Sequence, residues 1–120
     1  MMKRHSIAVA AACAALIGGF AVWVPVVEQA AAQTAVQARG KEVYDHWCTP
    51  CHAPGTGHPG TQSLEIKYRG ELPPVLEDRE DLTREYVRTI VRSGILMMAP
   101  FRKTEVTDSE LDDLAAYLAD

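Results

Sequence analysis

The chain has 120 residues, a formal net charge of −4 and only 7% aromatic residues. An acidic chain of this kind argues against nucleic acid or an anionic membrane as its main partner. Its length and few aromatics leave room for one small domain with a modest core.

Lys3 and Arg4 precede an uncharged apolar stretch from Ile7 to Val27, interrupted by Gly18-Gly19 and Pro25. Ala30-Ala31-Ala32 then offers small residues for cleavage. This pattern predicts a secretory signal peptide over 1–32 and a folded domain over 33–120. Left uncut, the same stretch is long enough to serve as a membrane anchor. No twin-arginine pair occurs, and Cys13 reads as a small apolar residue of the leader.

Beyond the leader, Val36, Val43, Tyr44 and Trp47 recur at helical spacing and predict a first helix from about Val36 to Trp47. Next comes Cys48-Thr49-Pro50-Cys51-His52. Ala53-Pro-Gly-Thr-Gly-His-Pro-Gly-Thr61 is too rich in glycine and proline for regular structure. Leu64 to Tyr68 is long enough for a helical turn, and Pro73-Pro74 forbids helix there. Asp81 or Thr83 can cap a helix ending at Ser93, with Leu82, Tyr86, Val87, Ile90 and Val91 as its apolar stripe and Gly94 as its stop. Ile95 to Phe101 is apolar but too broken for an element. Thr107-Asp-Ser-Glu110 is a capping box that opens a last helix, whose inner face carries Leu111, Leu114, Ala115 and Leu118. No strand-like alternation and no internal repeat occurs.

Cys-x-x-Cys-His is the covalent attachment signature of a c-type haem. The thiols of Cys48 and Cys51 are spaced to add to two vinyl groups, and His52 follows to meet the iron from one side. Trp47-Cys48-Thr49-Pro50-Cys51 also has the form of a thiol–disulfide oxidoreductase site, where the first cysteine is a low-pKa thiolate. That fold requires a buried strand before the motif, and a helical pattern stands there instead. Zinc would want further ligands, and the chain beyond the leader has only His46 and His58 to spare and no second cysteine pair. Both cysteines beyond the leader lie in the motif, so no structural disulfide is expected. Short helices joined by long loops bury little by themselves, and a large flat haem would complete the core.

The motif closing an N-terminal helix, the methionine loop and the amphipathic last helix resemble the class I, mono-haem c-type cytochromes. The likeness spans about Arg39 to Leu118, essentially the whole domain. Leu82 to Gly94, followed by Met98 and Phe101, is most similar to small bacterial cytochromes such as the cytochrome subunit of 4-cresol dehydrogenase-type flavocytochromes. The resemblance implies an all-α fold of three to four helices around one covalent haem c, with His52 as proximal iron ligand.

In that family the distal methionine stands four residues after a glycine and is commonly followed by Pro-x-Phe. Gly94 and Phe101 both select Met98; Ala99 stands where the proline is usual, which keeps Met97 as the alternative. The family also has a proline carbonyl that accepts the N–H of the proximal imidazole, and Pro59 is the candidate for it. Gly40 and Tyr44 match the helix face that crosses the last helix near Leu114, Tyr117 and Leu118. His58 is expected to be exposed or near a propionate, and His46 to be a surface residue.

Arg84, Arg88 and Arg92 form a basic stripe, read either as a solvated face or, with Arg102 and Lys103, as a docking site. The expected function is electron transfer in the periplasm, with no catalytic residues of its own. The donor would be an exported dehydrogenase, a flavoprotein included, and the acceptor a cytochrome or oxidase. The alternatives are a haem enzyme or sensor with an open sixth position, and the thiol–disulfide oxidoreductase. If haem completes the core, Cys48→Ser/Cys51→Ser protein is expected to be largely unfolded, and a cooperative native-like melt of that variant would contradict it.

Overall fold

The structure, a computed structural model, describes residues 23–119, with side chains from Val27 onward. Most of the expected leader therefore lies outside the described residues. The chain divides into two units, Met1–Ala31 and Ala32–Asp120. The described part of the first is helical, and the second holds the core and the motif.

The described residues form five α-helices and no strand: α1 (Trp23–Trp47), α2 (Thr49–His52), α3 (Pro59–Tyr68), α4 (Arg84–Ser93) and α5 (Asp108–Ala119), with one 3-10 turn at Leu76–Asp78. The all-α expectation holds. Two boundaries differ from the sequence reading. Helix α1 begins well before Val36, because Gln29 to Ala35 is a run of helix-tolerant residues with no break. Helix α3 begins at Pro59, inside the segment expected to be irregular. Proline is well suited to a first helical position, where its missing N–H would have no partner.

The core sits where α1, α4 and α5 meet. Tyr44, Val106 and Leu114 are fully buried there, joined by Val43, Val87, Val91, Leu111, Ala115 and Leu118. Of the expected α4 stripe, Val87 and Val91 go inside while Tyr86 stays exposed, because the contact face is narrower than the apolar arc. Helices α1 and α5 cross at Gly40, whose added Cβ would lie 2.6 Å from Tyr117 Cβ and would collide with the Asp113 carbonyl. Gln37 Nε2 donates to the Ala116 carbonyl at 3.1 Å beside this crossing. Both bonds of the predicted capping box form: Thr107 N–H to Glu110 Oε2 at 2.8 Å and Glu110 N–H to Thr107 Oγ1 at 3.3 Å.

Ion pairs tie the surface together. Arg39 reaches Asp113 at 2.6 Å, Arg88 reaches Asp112 at 2.6 Å, and Arg92 and Lys103 share Asp108 at 2.9 and 2.7 Å. Two members of the basic α4 stripe are thus committed to acids of α5. In the loop before α4, the Arg79 guanidinium is buried against Asp81 at 2.5 Å, with its carbon 4.7 Å from the Tyr68 ring centre.

Lys103 and then Arg92 hold the Asp108 carboxyl below its usual range; Arg79 does so for Asp81, Arg102 for Glu105, and Thr107 for Glu110. Folding favours the charged form of each. The stability they add is therefore complete above their unfolded values, 3.8 for Asp and 4.5 for Glu, and is lost as pH falls through their lower folded values. The thermal midpoint should be nearly flat from neutrality to about pH 5 and fall steadily below it. Asp108→Asn should make that acid limb shallower in a series of melts across pH.

Candidate haem site

The motif is one tight helical turn hung from the end of α1. Cys48 N–H donates to the Tyr44 carbonyl at 2.9 Å, and the Cys48 carbonyl accepts from Cys51 N–H at 3.1 Å and from His52 N–H at 2.8 Å. Positions three and four apart lie on one side of such a turn, so Cys48, Cys51 and His52 are presented together. Thr49 Oγ1 caps the end of α1 by donating to the Asp45 carbonyl at 2.6 Å. Tyr44 reaches forward from the core, its hydroxyl donating to the His52 carbonyl at 3.2 Å. The position of the turn is therefore set by the fully buried tyrosine of the α1–α5 crossing.

The two thiols are free. Burial, and then the neighbouring Cys51, push the Cys48 thiol up to about 12. A reactive dithiol site requires the opposite, a first cysteine whose thiolate forms readily. His52 is half-buried, and burial lowers its pKa, so its imidazole is neutral at pH 7. A neutral ring is the form that ligates a metal. Its Nδ1 is sealed in protein with no hydrogen-bond partner. Among the described residues no three His, Cys, Asp or Glu side chains converge as a metal cluster.

Pro59 does not supply the expected acceptor for that nitrogen. It opens α3, so its carbonyl points along the helix and accepts Ser63 Oγ at 2.7 Å. The residue that does lie against the ring is its neighbour, Gly60. A Cβ there would sit 2.7 Å from His52 Cε1 and 2.8 Å from Nδ1. His46 is exposed on α1, as expected. His58 is half-buried at the N-cap of α3, with Nδ1 3.2 Å from the Pro50 carbonyl.

The loop after α4 separates the two methionines. Ile95 and Met98 exchange backbone hydrogen bonds of 3.0 and 2.9 Å around Leu96 and Met97, with Leu96 in the left-handed region at φ 53°. This tight turn leaves Met97 97% exposed, while Met98 packs against the core. The far end is anchored by Phe101, whose N–H donates to the Val91 carbonyl at 2.8 Å and whose ring meets Trp47 edge-on at 5.8 Å. Trp47 immediately precedes Cys48, so the methionine loop and the motif share one aromatic contact.

The protein-family model described as cytochrome c oxidase, cbb3-type, subunit III matches residues 35–118. The chain belongs to this c-type cytochrome family. It is also 35% identical over 80 residues to the 4-cresol dehydrogenase [hydroxylating] cytochrome c subunit of Pseudomonas putida, covering 67% of this chain. The chain spans 58% of that relative's length. No solved structure gives a significant match.

The cytochrome's own residues fit a c-type haem. Two cysteines and a neutral imidazole share one turn, the imidazole's second nitrogen is sealed away from water, and an inward thioether is carried by an apolar loop. The sequence reading missed Gly60 and Thr61. Proline, which suits a first helical position, was the available sign of a helix start at residue 59.

Gly94 closes the methionine loop with φ 70°, and an added Cβ would lie 2.5 Å from the Met98 carbonyl oxygen and 2.9 Å from Pro100 N. Gly94→Ala should therefore cost about 2–4 kcal/mol from backbone strain and overpacking together. Urea denaturation followed by Trp fluorescence would show this as a lower midpoint.

Proposed function

We propose that this cytochrome is an exported carrier of one electron, holding a single haem c through thioethers at Cys48 and Cys51, with His52 and Met98 as axial ligands. One observation carries the reading: the motif turn presents both thiols and a neutral imidazole together, and the loop after α4 turns Met98 inward and Met97 outward. When bound, the haem supplies the ferric–ferrous couple. Cys48 and Cys51 would keep it from exchanging, and His52 and Met98 would hold its iron, leaving no site on the metal for substrate. A thioether ligand favours the reduced state relative to a second imidazole. Trp47, Phe101 and the buried core exclude water on the protein side, which further disfavours the extra charge of the oxidised state.

The periplasm is the proposed location, supported by the leader pattern over 1–32. The donor in this reading is an exported dehydrogenase, a flavoprotein acting on a phenolic or alcohol substrate. The relative's own description as a dehydrogenase cytochrome subunit supports it. The acceptor is another cytochrome or a terminal oxidase. Such encounters use small, transient interfaces. Arg88 and Arg92 of the basic stripe meet any such partner already paired to Asp112 and Asp108.

The test is an absorption spectrum of protein made in a strain competent in c-type haem maturation. Sharp α and β bands when reduced, a far-red thioether band when oxidised and no response to carbon monoxide are expected. A wild-type protein that binds carbon monoxide readily would instead indicate an open sixth position and ligand chemistry. Met98→Ala should lose the far-red band, gain carbon monoxide binding and fall in reduction potential, whereas Met97→Ala should match the parent.

A further inference from the structure

The first turn of α3 is fastened to the haem-attachment segment at two places. His58, its N-cap, has Nδ1 3.2 Å from the Pro50 carbonyl inside the motif. Thr61, 5% exposed and the buried polar side chain of the described core, donates from Oγ1 to the Ala53 carbonyl at 2.9 Å, one residue past His52. Between these two lies Gly60, facing the imidazole.

Gly60 sits in a regular helix at ordinary backbone angles, so no positive φ requires glycine there. Glycine within a helix costs about 1 kcal/mol relative to alanine. The contact explains its presence. An added Cβ would meet His52 Cε1 at 2.7 Å, His52 Nδ1 at 2.8 Å and the Cys51 carbonyl oxygen at 2.7 Å, closer than carbon approaches such atoms. A bare backbone here lets the helix lie flat against one edge of the ring.

A metal-bound histidine is usually oriented by a hydrogen bond from its other nitrogen. In this chain that nitrogen is sealed without a partner. The ring is oriented by a wall instead. We propose that Gly60 is a positioning residue, and that the side-chain-free first turn of α3, held by His58 and Thr61, sets the rotation of the His52 imidazole. The proposal rests on His52 being the proximal ligand. The rotation of that ring decides which iron orbital its π system overlaps. Together with the thioether on the other side, it therefore sets how the unpaired electron of the ferric state is spread over the haem.

The test is proton nuclear magnetic resonance of the ferric holoprotein, reading the order of the four haem methyl resonances. With cyanide, a cylindrically symmetric ligand, put in place of the Met98 thioether, that order follows imidazole rotation alone and is insensitive to a general loss of stability. Gly60→Ala is expected to keep its covalent haem and show a reordered methyl pattern. Thr61→Val, which removes the Ala53 bond and loosens the wall, should also shift the pattern, and Thr61→Ser, which keeps the bond, should leave it parental. Gly57→Ala is the control for loop strain: it forces φ +94° on a side chain with nothing within 4 Å, and should lower stability while leaving the pattern unchanged.

A folded Gly60→Ala holoprotein with the parental methyl order overturns the proposal. If that variant does not accumulate, a parental pattern in Thr61→Val overturns it equally. Parent protein lacking the shifted resonances of a bound imidazole would overturn the His52 assignment together with it.

Discussion

Tyr44 is the joint through which the fold and the motif act on each other. Its ring is fully buried at the α1–α5 crossing, 5.8 Å from the Tyr117 ring, and its hydroxyl and carbonyl both reach the motif turn. The crossing can be this close because Gly40 presents no side chain to α5. Any change in how the two helices pack is therefore transmitted over one helical turn to His52. Burial raises the Tyr44 phenol well above its usual range, so it stays protonated and remains a donor throughout the physiological span.

The second constraint is electrostatic. The chain is acidic overall, and its cations are drawn into ion pairs that link α1 to α5, α4 to α5 and the loop after Phe101 to α5. Exposed pairs of this sort each contribute little to stability. Their larger effect is on the surface that remains. Residues 93–101 carry no charge, and the segment from Thr49 to Leu64 carries only His52 and His58 as titratable side chains apart from Cys51. The two segments that bring the candidate ligands are thus the most neutral parts of the domain.

Much of this was legible in the sequence, for reasons that differ by element. Helix α5 was readable in full because its capping box and leucine pattern are local signals, and both were realised. The spacing that selected Met98 over Met97 coincides with the inward and outward sides of a two-residue turn. The start of α3 was not legible: a glycine- and proline-rich run reads as a break unless proline is recognised as a first helical residue. Gly60 was hidden for a deeper reason. Its identity is fixed by the His52 ring pressed against it, and no property of the local sequence records that contact. The acceptor expected at Pro59 failed on direction, since a helix-opening carbonyl is committed to its own helix.

The turn that sorts the methionines also governs what an oxidant meets first. A thioether becomes a polar sulfoxide on contact with peroxide, and the rate follows access. Met97 stands almost wholly in solvent, one residue from a Met98 that is folded against the core. Peroxide arriving from solvent is therefore consumed at a position where an added oxygen atom disturbs no packing. The adjacent sulfur reacts more slowly because it is itself partly buried against the core.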